Sequence, residues 1–251
     1  MAVGAALVER RPGDVEMAPG QSTGELPQER GREDAATPAD AIVLPLSACP
    51  RPSLQSTAAQ VQSTLAALDV PQAAGGRLVL CPGAEFGDAK QWPASHFAGL
   101  AARALADGWQ VLIAGSGNDR AIADEIISRI EPALRAGCIN LCGRTSLSQV
   151  IDVLASASAV VSNDSGLMHI AAALQRPLVA LYGSTSADFT PPLADRVKLL
   201  ASDIECRPCF QRTCPLGHKR CLTELSPELA WNSLQELLNG PASRIIATGV
   251  N

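Results

Sequence analysis

From residue 77 onward, short apolar runs alternate with longer segments in which apolar residues recur every three or four positions. Five runs have the length and composition of buried parallel strands, at residues 78–81, 110–114, 139–143, 159–162 and 178–181. Five segments have amphipathic helical spacing, at residues 97–105, 120–130, 147–155, 166–174 and 227–238, and a sixth strand is indicated at 197–201. This alternation predicts an α/β fold built on a doubly wound, parallel, Rossmann-like sheet.

The rest of the chain has a different character. The first forty residues are polar, charged and rich in Gly and Pro, without helical or strand periodicity. The next region contains a short strand or extended arm at 42–46 and a helix over 53–68. We therefore divide the chain into a disordered N-terminal segment at 1–40, a linker and helix at 41–76, a ligand-binding domain at 77–239 and a tail at 240–251.

Composition and charge narrow the classes of function. Hydrophobic residues make up 47% of the 251 residues, which is enough for a buried core. A formal net charge of -5 gives no electrostatic basis for binding nucleic acid, which favours clustered Lys and Arg. No apolar run reaches the roughly 20 residues of a transmembrane helix, and the N-terminus lacks the pattern of a secretory signal. We expect a cytoplasmic protein, and a small anionic ligand is compatible with this charge.

The strongest chemical signal follows the fourth strand, where Asn163, Asp164, Ser165 and Gly166 lead directly into a helix. Asn, Asp and Ser are good helix N-caps, and the N–H groups and dipole at a helix N-terminus favour an anion. Asp164 offers a carboxylate for sugar hydroxyls, Ser165 can donate to a phosphate oxygen, and His169 lies one turn later on the same face. Each residue alone is explained as a cap or a surface residue. Together, at the carboxyl end of a strand, they predict a ligand site.

A second candidate is the loop at residues 82–93, which follows the first strand and opens onto the same edge of the predicted sheet. Gly83 and Gly87 permit a close backbone approach to a ligand. Lys90 supplies a positive charge for a pyrophosphate, and a solvated surface charge is its competing interpretation. The loop matches neither the dinucleotide fingerprint nor the P-loop, so its pattern alone is weak.

The cysteine-rich segment, residues 206–221, contains four of the eight cysteines, and His218 lies within it. Four thiolates this close can hold zinc tetrahedrally in a closed structural site, with the candidate ligands Cys206, Cys209, Cys214 and Cys221. Reduced thiols without a metal are the alternative, and a reducing compartment disfavours disulfides. The pattern leaves no open coordination position, so it does not indicate a catalytic metal.

Long motifs in this sequence resemble the lipopolysaccharide heptosyltransferase II proteins of glycosyltransferase family 9. The similar stretches are CPGAEFG at 81–87 with KQWP at 90–93, SNDSGLMHIAAAL at 162–174, RPLVALYG at 176–183 and DFTPPL at 188–193. PLGH at 215–218 also resembles part of a cysteine segment found in many members of that subfamily. The resemblance runs in order from about residue 50 to about residue 238.

This resemblance implies the C-terminal, donor-binding half of a GT-B glycosyltransferase. The implied donor is ADP-L-glycero-D-manno-heptose, and the implied acceptor is the first heptose of the lipopolysaccharide inner core. That acceptor, heptosyl-Kdo2-lipid A, would lie at the inner face of the Gram-negative inner membrane, with the enzyme cytoplasmic or peripheral there. Transfer would be inverting and would need no cofactor for catalysis.

The resemblance also implies roles for seven residues in donor binding. Ala84 and Glu85 match the loop that touches the donor phosphates, and Lys90 matches the lysine that neutralises them. Asp164 would bind heptose hydroxyls. The residues that would line the sugar-diphosphate site are Ser165, Gly166 and His169.

The N-terminal half of the family departs most from this sequence. There the family has a strand, a Gly-rich loop, the acceptor surface and the aspartate expected as general base, and residues 1–49 do not resemble it. Because a general base contributes about 10²–10⁴-fold in rate, we expect this chain alone to bind ADP or ADP-heptose weakly and to turn over poorly. A truncated heptosyltransferase is the leading hypothesis, and a catalytically deficient ADP-sugar-binding module is the first alternative. An epimerase-like sugar-diphosphate enzyme and a zinc-stabilised interaction protein are the others.

Overall fold

The computed structural model describes residues 51–240 and the backbone of one strand at Ile245–Thr248. The N-terminal segment expected at 1–40 and the arm expected at 42–46 lie outside the described residues. Within the described residues, no helix is both long and apolar enough to cross a membrane.

The described strands form one sheet in which every neighbouring pair is parallel. In chain order they are β1 Arg77–Cys81, β2 Gln110–Ile113, β3 Cys138–Asn140, β4 Ala159–Asn163, β5 Leu178–Tyr182, β6 Val197–Ala201 and β7 Ile245–Thr248. Their order across the sheet is β3-β2-β1-β4-β5-β6-β7. The predicted α/β fold with a doubly wound parallel sheet is confirmed.

Helices cover both faces of the sheet. They are α1 Ala58–Ala67, α2 Ala94–Ala106, α3 Arg120–Arg129, α4 Leu147–Ala155, α5 Gly166–Ala173, α6 Arg220–Thr223 and α7 Pro227–Asn239. Side chains alternate across a strand, so Leu78 and Leu80 of β1 pack in the layer of α2, α3 and α7. Val79 and Cys81 pack on the opposite face, in the layer of α1, α4 and α5. Both faces of β1 are therefore buried, which explains its unbroken apolar pattern.

Several elements differ from the sequence-based expectations; the helix expected over 97–105, for example, spans Ala94–Ala106. The helix expected over 53–68 begins at Ala58, because Thr57 accepts a hydrogen bond from the Gln60 amide in a capping box. The strand expected over 139–143 ends at Asn140, and Gly143 turns away with φ 70°. Within the expected tail at 240–251, β7 pairs with β6.

The sheet order places a switch point between β1 and β4. From β1 the chain continues outward through β2 and β3, whereas from β4 it continues in the other direction through β5, β6 and β7. Ligands of such sheets bind in the crevice at the carboxyl ends of the strands beside the switch point. Both loops singled out in the sequence leave the sheet at this point.

Candidate functional site

Asn163, the last residue of β4, joins the carboxyl ends of β1 and β4. Its side chain is fully buried. The Asn163 amide nitrogen donates to the Pro82 carbonyl at 2.7 Å, and its Oδ1 accepts from the Trp92 backbone amide at 3.1 Å. Pro82 and Trp92 lie near the two ends of the loop at 82–93, which we call the first donor loop after its expected role in donor binding. One asparagine therefore fixes both ends of this loop to the end of β4.

Lys90 of the first donor loop forms a buried ion pair with Asp164, the residue that follows β4. Lys90 Nζ lies 2.6 Å from Asp164 Oδ2, and the two side chains are 13% and 4% exposed. The carboxylate also accepts from the hydroxyls of Thr185, at 2.7 Å, and Thr190, at 3.5 Å. Lys90 Nζ lies 4.8 Å from the ring centroid of Phe86. Lys90 is thus an ion-paired and mostly buried side chain, not a solvated surface charge.

A cavity of about 450 Å³ opens at the same sheet edge, and Ser165, the residue after Asp164, lines it. Four of the seven predicted donor-binding residues line it: Ala84, Glu85, Ser165 and Gly166. Its volume falls within the range of roughly 300–1,000 Å³ found for small-molecule sites. The other three, Lys90, Asp164 and His169, are not among the lining residues, and His169 is exposed on α5. The structure therefore brings both predicted loops to one cavity, while the Lys90–Asp164 pair is buried next to Ser165 and does not line it.

Two helices begin at this cavity. Ser146 and Leu147 line it at the start of α4, and Ser165 and Gly166 line it at the start of α5. The Ser146 hydroxyl caps α4 by accepting from the Gln149 amide. The Ser165 side chain makes no capping hydrogen bond to α5, and its hydroxyl lies 3.4 Å from that of Ser162. The positive ends of two helix dipoles thus point at the cavity, which favours an anion there.

The loop after β5, residues 183–190, is a part of the site that the sequence analysis missed. It supplies both threonine hydroxyls that bind Asp164. The position of this loop could have been inferred, since β5 lies next to β4 and the carboxyl ends of the two parallel strands face the same edge. Threonine alone carries no distinctive motif, so its role became visible only through the contacts. We call this segment the second donor loop, because it contacts Asp164, a residue expected to bind the donor.

The cysteine-rich segment packs on the first donor loop. Arg212 donates through Nε to the Phe86 carbonyl at 2.8 Å, and its own carbonyl accepts from the Ala89 amide at 3.0 Å. Gly87 has φ 154°, and a Cβ there would lie 2.3 Å from the Arg212 carbonyl oxygen. Only glycine permits this approach of the two backbones. The segment is therefore part of the framework around the candidate site.

The four cysteines of this segment line one small cavity of about 20 Å³, together with His218. Backbone amides, led by that of Lys219, donate to the Cys214 sulfur and lower the pKa of its thiol. Burial and then the neighbouring thiols raise the pKa of Cys221. Among residues 51–240, no group of three or more His, Cys, Asp or Glu side chains is arranged as a metal site. The predicted cluster is present in space, and the zinc interpretation stays a prediction.

Comparison with known proteins identifies the family to which the described domain is similar. Residues 42–220 match the model of glycosyltransferase family 9 (heptosyltransferase). The chain is 44% identical over 162 residues to lipooligosaccharide heptosyltransferase 2 of Haemophilus influenzae, covering 63% of this chain and 46% of that protein.

Two solved structures share this fold. The chain resembles E. coli ADP-heptose LPS heptosyltransferase II with a TM-score of 0.68 and 38% identity, over 74% of this chain and 53% of that one. It resembles E. coli heptosyltransferase WaaC, solved with ADP-2-deoxy-2-fluoro heptose, with a TM-score of 0.51 and 25% identity, over 74% and 50% of the two chains.

The chain spans about half the length of the relatives it matches. The family match itself covers well over half of the 251 residues. The resemblance inferred from the two loop motifs is confirmed, and the chain belongs to glycosyltransferase family 9, the heptosyltransferase family.

Proposed function

We propose that the described domain binds ADP-L-glycero-D-manno-heptose as the donor half of a lipopolysaccharide heptosyltransferase. The observation that carries this proposal is the buried pair of Lys90 and Asp164 at the switch point of the sheet. A sugar diphosphate combines anionic oxygens with neighbouring hydroxyls, and this pair offers one group for each. The lysine attracts the diphosphate, and the carboxylate accepts from heptose hydroxyls.

The surrounding electrostatics support a diphosphate next to α5. Lys90 and the N-terminus of α5, which begins at Gly166, both favour negative charge. Glu85 lies on the cavity and is exposed, and its carboxylate would repel phosphate oxygens. We therefore expect the phosphates on the α5 side of the cavity, with Glu85 nearer the hydroxyls and exocyclic amine of the nucleoside.

The nucleoside fits the remainder of the cavity. Leu147, Val150, Leu167 and Ile170 supply an apolar lining, as is usual in sites for aromatic bases. The related WaaC structure with ADP-2-deoxy-2-fluoro heptose supports an ADP-sugar as the ligand class. We propose His169 as a peripheral donor contact.

The proposed reaction transfers the heptose to the first heptose of heptosyl-Kdo2-lipid A, at the inner face of the inner membrane. The acceptor oxygen bonds to the anomeric carbon while the bond from that carbon to the β-phosphate oxygen breaks. ADP leaves, and the acceptor proton passes to a general base for which we assign no residue. Lys90 and the α5 N-terminus would stabilise the charge that develops on ADP, so the described residues would act on the leaving group.

Binding of ADP tests the site directly. We expect saturable ADP binding by the full chain in calorimetry. UDP should bind more weakly because it lacks adenine, and AMP should bind more weakly because it lacks the second phosphate. A Cβ at Gly166 would meet no atom within 4 Å, so Gly166→Val should fold normally yet intrude where the ligand lies. We expect it to raise the Kd for ADP about 10-fold, the equivalent of about 1.4 kcal/mol.

Ala58→Val is the matched control, because Ala58 is the exposed first residue of α1. It should leave the Kd for ADP unchanged. Absence of saturable binding by the wild-type chain at millimolar ADP would refute the proposed function. Binding without transfer to heptosyl-Kdo2-lipid A, followed by mass spectrometry, would favour the ADP-sugar-binding module over the transferase.

For the cysteine-rich segment we also propose a structural zinc ion. The cavity of about 20 Å³ has the size of one water molecule or ion. Its lining includes Ser184, whose hydroxyl is buried and has no hydrogen-bond partner among the described residues. The four cysteines that line this cavity would hold the ion as thiolates, and the ion would cross-link the segment.

Elemental analysis of purified chain tests this zinc site. We expect about one zinc per chain, a much lower content in Cys214→Ser, and no change in Cys138→Ala. Cys138 is buried in the main core outside the segment, so it controls for the loss of a thiol. A folded, metal-free wild-type chain would exclude the zinc proposal and leave donor binding untouched.

A further inference from the structure

Arg207 lies in the cysteine-rich segment but directs its guanidinium toward backbone carbonyls. Nε donates to the Gly183 carbonyl at 2.7 Å, Nη2 to the Thr185 carbonyl at 2.9 Å and Nη1 to the Ser202 carbonyl at 3.1 Å. Among the described residues, Arg207 forms no ion pair within 4 Å. One planar side chain thus joins the start of the second donor loop to the strand end at Ser202.

The two carbonyls of the second donor loop belong to the backbone that presents Thr185 to Asp164. The Thr185 hydroxyl donates to Asp164 Oδ2 at 2.7 Å, and the same oxygen receives Lys90 Nζ at 2.6 Å. Ser184 lies between the two carbonyls that Arg207 binds, and its amide donates to the Ala89 carbonyl at 3.2 Å. Ala89 directly precedes Lys90. The hydrogen bonds of Arg207 therefore act on the backbone that connects both members of the buried pair.

A guanidinium suits this task better than an ammonium. Its donors are fixed in one plane, so binding two carbonyls of one loop restrains the position and the orientation of that loop. A lysine at the same place would carry the same charge but could not reproduce the fork. Geometry and charge can consequently be separated by substitution.

We propose that Arg207 is a positioning residue of the donor site, which holds Asp164 in place through the Thr185 backbone and hydroxyl. This inference rests on the proposed binding of an ADP-sugar at Asp164 and Lys90. It assigns to the cysteine-rich segment a role in donor affinity that does not depend on a bound metal.

The test compares ADP binding by Arg207→Gln, Arg207→Lys and Arg176→Gln in the full chain. Arg176 is the matched control, since it donates to the carbonyls of Leu174 and Ala155, each at 3.2 Å, near the opposite end of β5. We expect both Arg207 variants to raise the Kd on the order of 10-fold, an effect comparable to the loss of one hydrogen bond. Arg176→Gln should change the Kd less than 2-fold. Full rescue by Arg207→Lys would show that charge alone matters and would overturn the proposal.

A double-mutant cycle with Thr185→Val identifies the path of the effect. If Arg207 acts through Thr185, the Kd of the double variant should rise no further than that of the more severe single variant. Independent effects, whose fold-changes multiply, would contradict the proposed path. A merely structural role would lower the melting temperature while leaving the Kd of the folded variants unchanged, and that outcome would also overturn the proposal.

Hydrogen exchange separates this inference from the proposed function. Arg207→Gln should increase amide exchange at residues 183–190 and 88–90, whereas Arg176→Gln should not. If exchange is faster in Arg207→Gln but the wild-type chain does not bind ADP, the proposed function is wrong and the restraint of the loop by Arg207 stands. If exchange is unchanged in Arg207→Gln and the wild-type chain binds ADP, the restraint by Arg207 is wrong and the proposed function stands.

Discussion

Lys90→Met is expected to weaken ADP binding by about 10–150-fold, the equivalent of roughly 1.5–3 kcal/mol for the loss of a charged contact. The same variant should lower the free energy of unfolding by about 3 kcal/mol, because removing one member of a buried ion pair leaves a desolvated charge behind. Asp164 is only 4% exposed, and its two threonine partners compensate only in part. Calorimetric titration with ADP and urea denaturation measure the two effects separately.

The control for Lys90 is a lysine in an exposed pair. Lys219 lies 2.6 Å from Asp88, with side chains 34% and 42% exposed. Exposed ion pairs contribute only about 0–1 kcal/mol, so Lys219→Met should have little effect on stability. The Kd for ADP should stay within 2-fold of wild type. Equal effects from the two substitutions would show that the buried pair has no special role.

A second substitution separates charge from binding. Replacing Asp164 by Asn in the Lys90→Met background removes the unpaired carboxylate at almost constant volume. We expect the double variant to recover much of the lost stability, since the cost of the single variant is mostly the uncompensated charge. ADP binding should not recover, because neither the cation nor the carboxylate is then present. Recovered binding would place the ligand elsewhere.

The part of this site that could be predicted is the part that hydrophobic patterning encodes. Apolar runs at β1 and β4 predicted two buried strands, and parallel alternation required their carboxyl ends to share one edge. That reasoning placed the first donor loop and the turn at Asp164 together, as the structure does. The residues that follow a buried strand are thus informative about where a ligand binds.

The contacts inside the site could not be predicted, because they join residues far apart in the chain. Lys90 and Asp164 are 74 positions apart, and Asp164 and Thr185 are 21 apart. Periodicity reports which face is buried and contains no information on which partner a polar group finds. Arg207 was overlooked for a related reason, since its three acceptors are backbone carbonyls that leave no trace in the sequence.

Asn163 shows most clearly how a residue can be singled out for the wrong property. The sequence suggested a helix cap, whereas Ser165 occupies the N-cap position of α5 and the Asn163 side chain bonds to the first donor loop. Asn163→Leu should lower the free energy of unfolding by about 2–6 kcal/mol, since each buried group left unpaired costs roughly 1–3 kcal/mol. The two groups are the Pro82 carbonyl and the Trp92 amide. Urea denaturation measures this change.

Asn140→Leu is the matched control, because Asn140 also ends a strand and its side chain also makes two hydrogen bonds. It accepts from the Cys142 amide at 2.9 Å and donates to Asp124 at 2.7 Å, but it is only half-buried. Water can replace these partners, so we expect a loss of about 0.5–1.5 kcal/mol. At a temperature where both variants are folded, only Asn163→Leu should also weaken ADP binding, because it releases the loop that carries Lys90. Similar losses of stability from the two variants, with ADP binding intact in both, would mean that Asn163 does not hold the first donor loop.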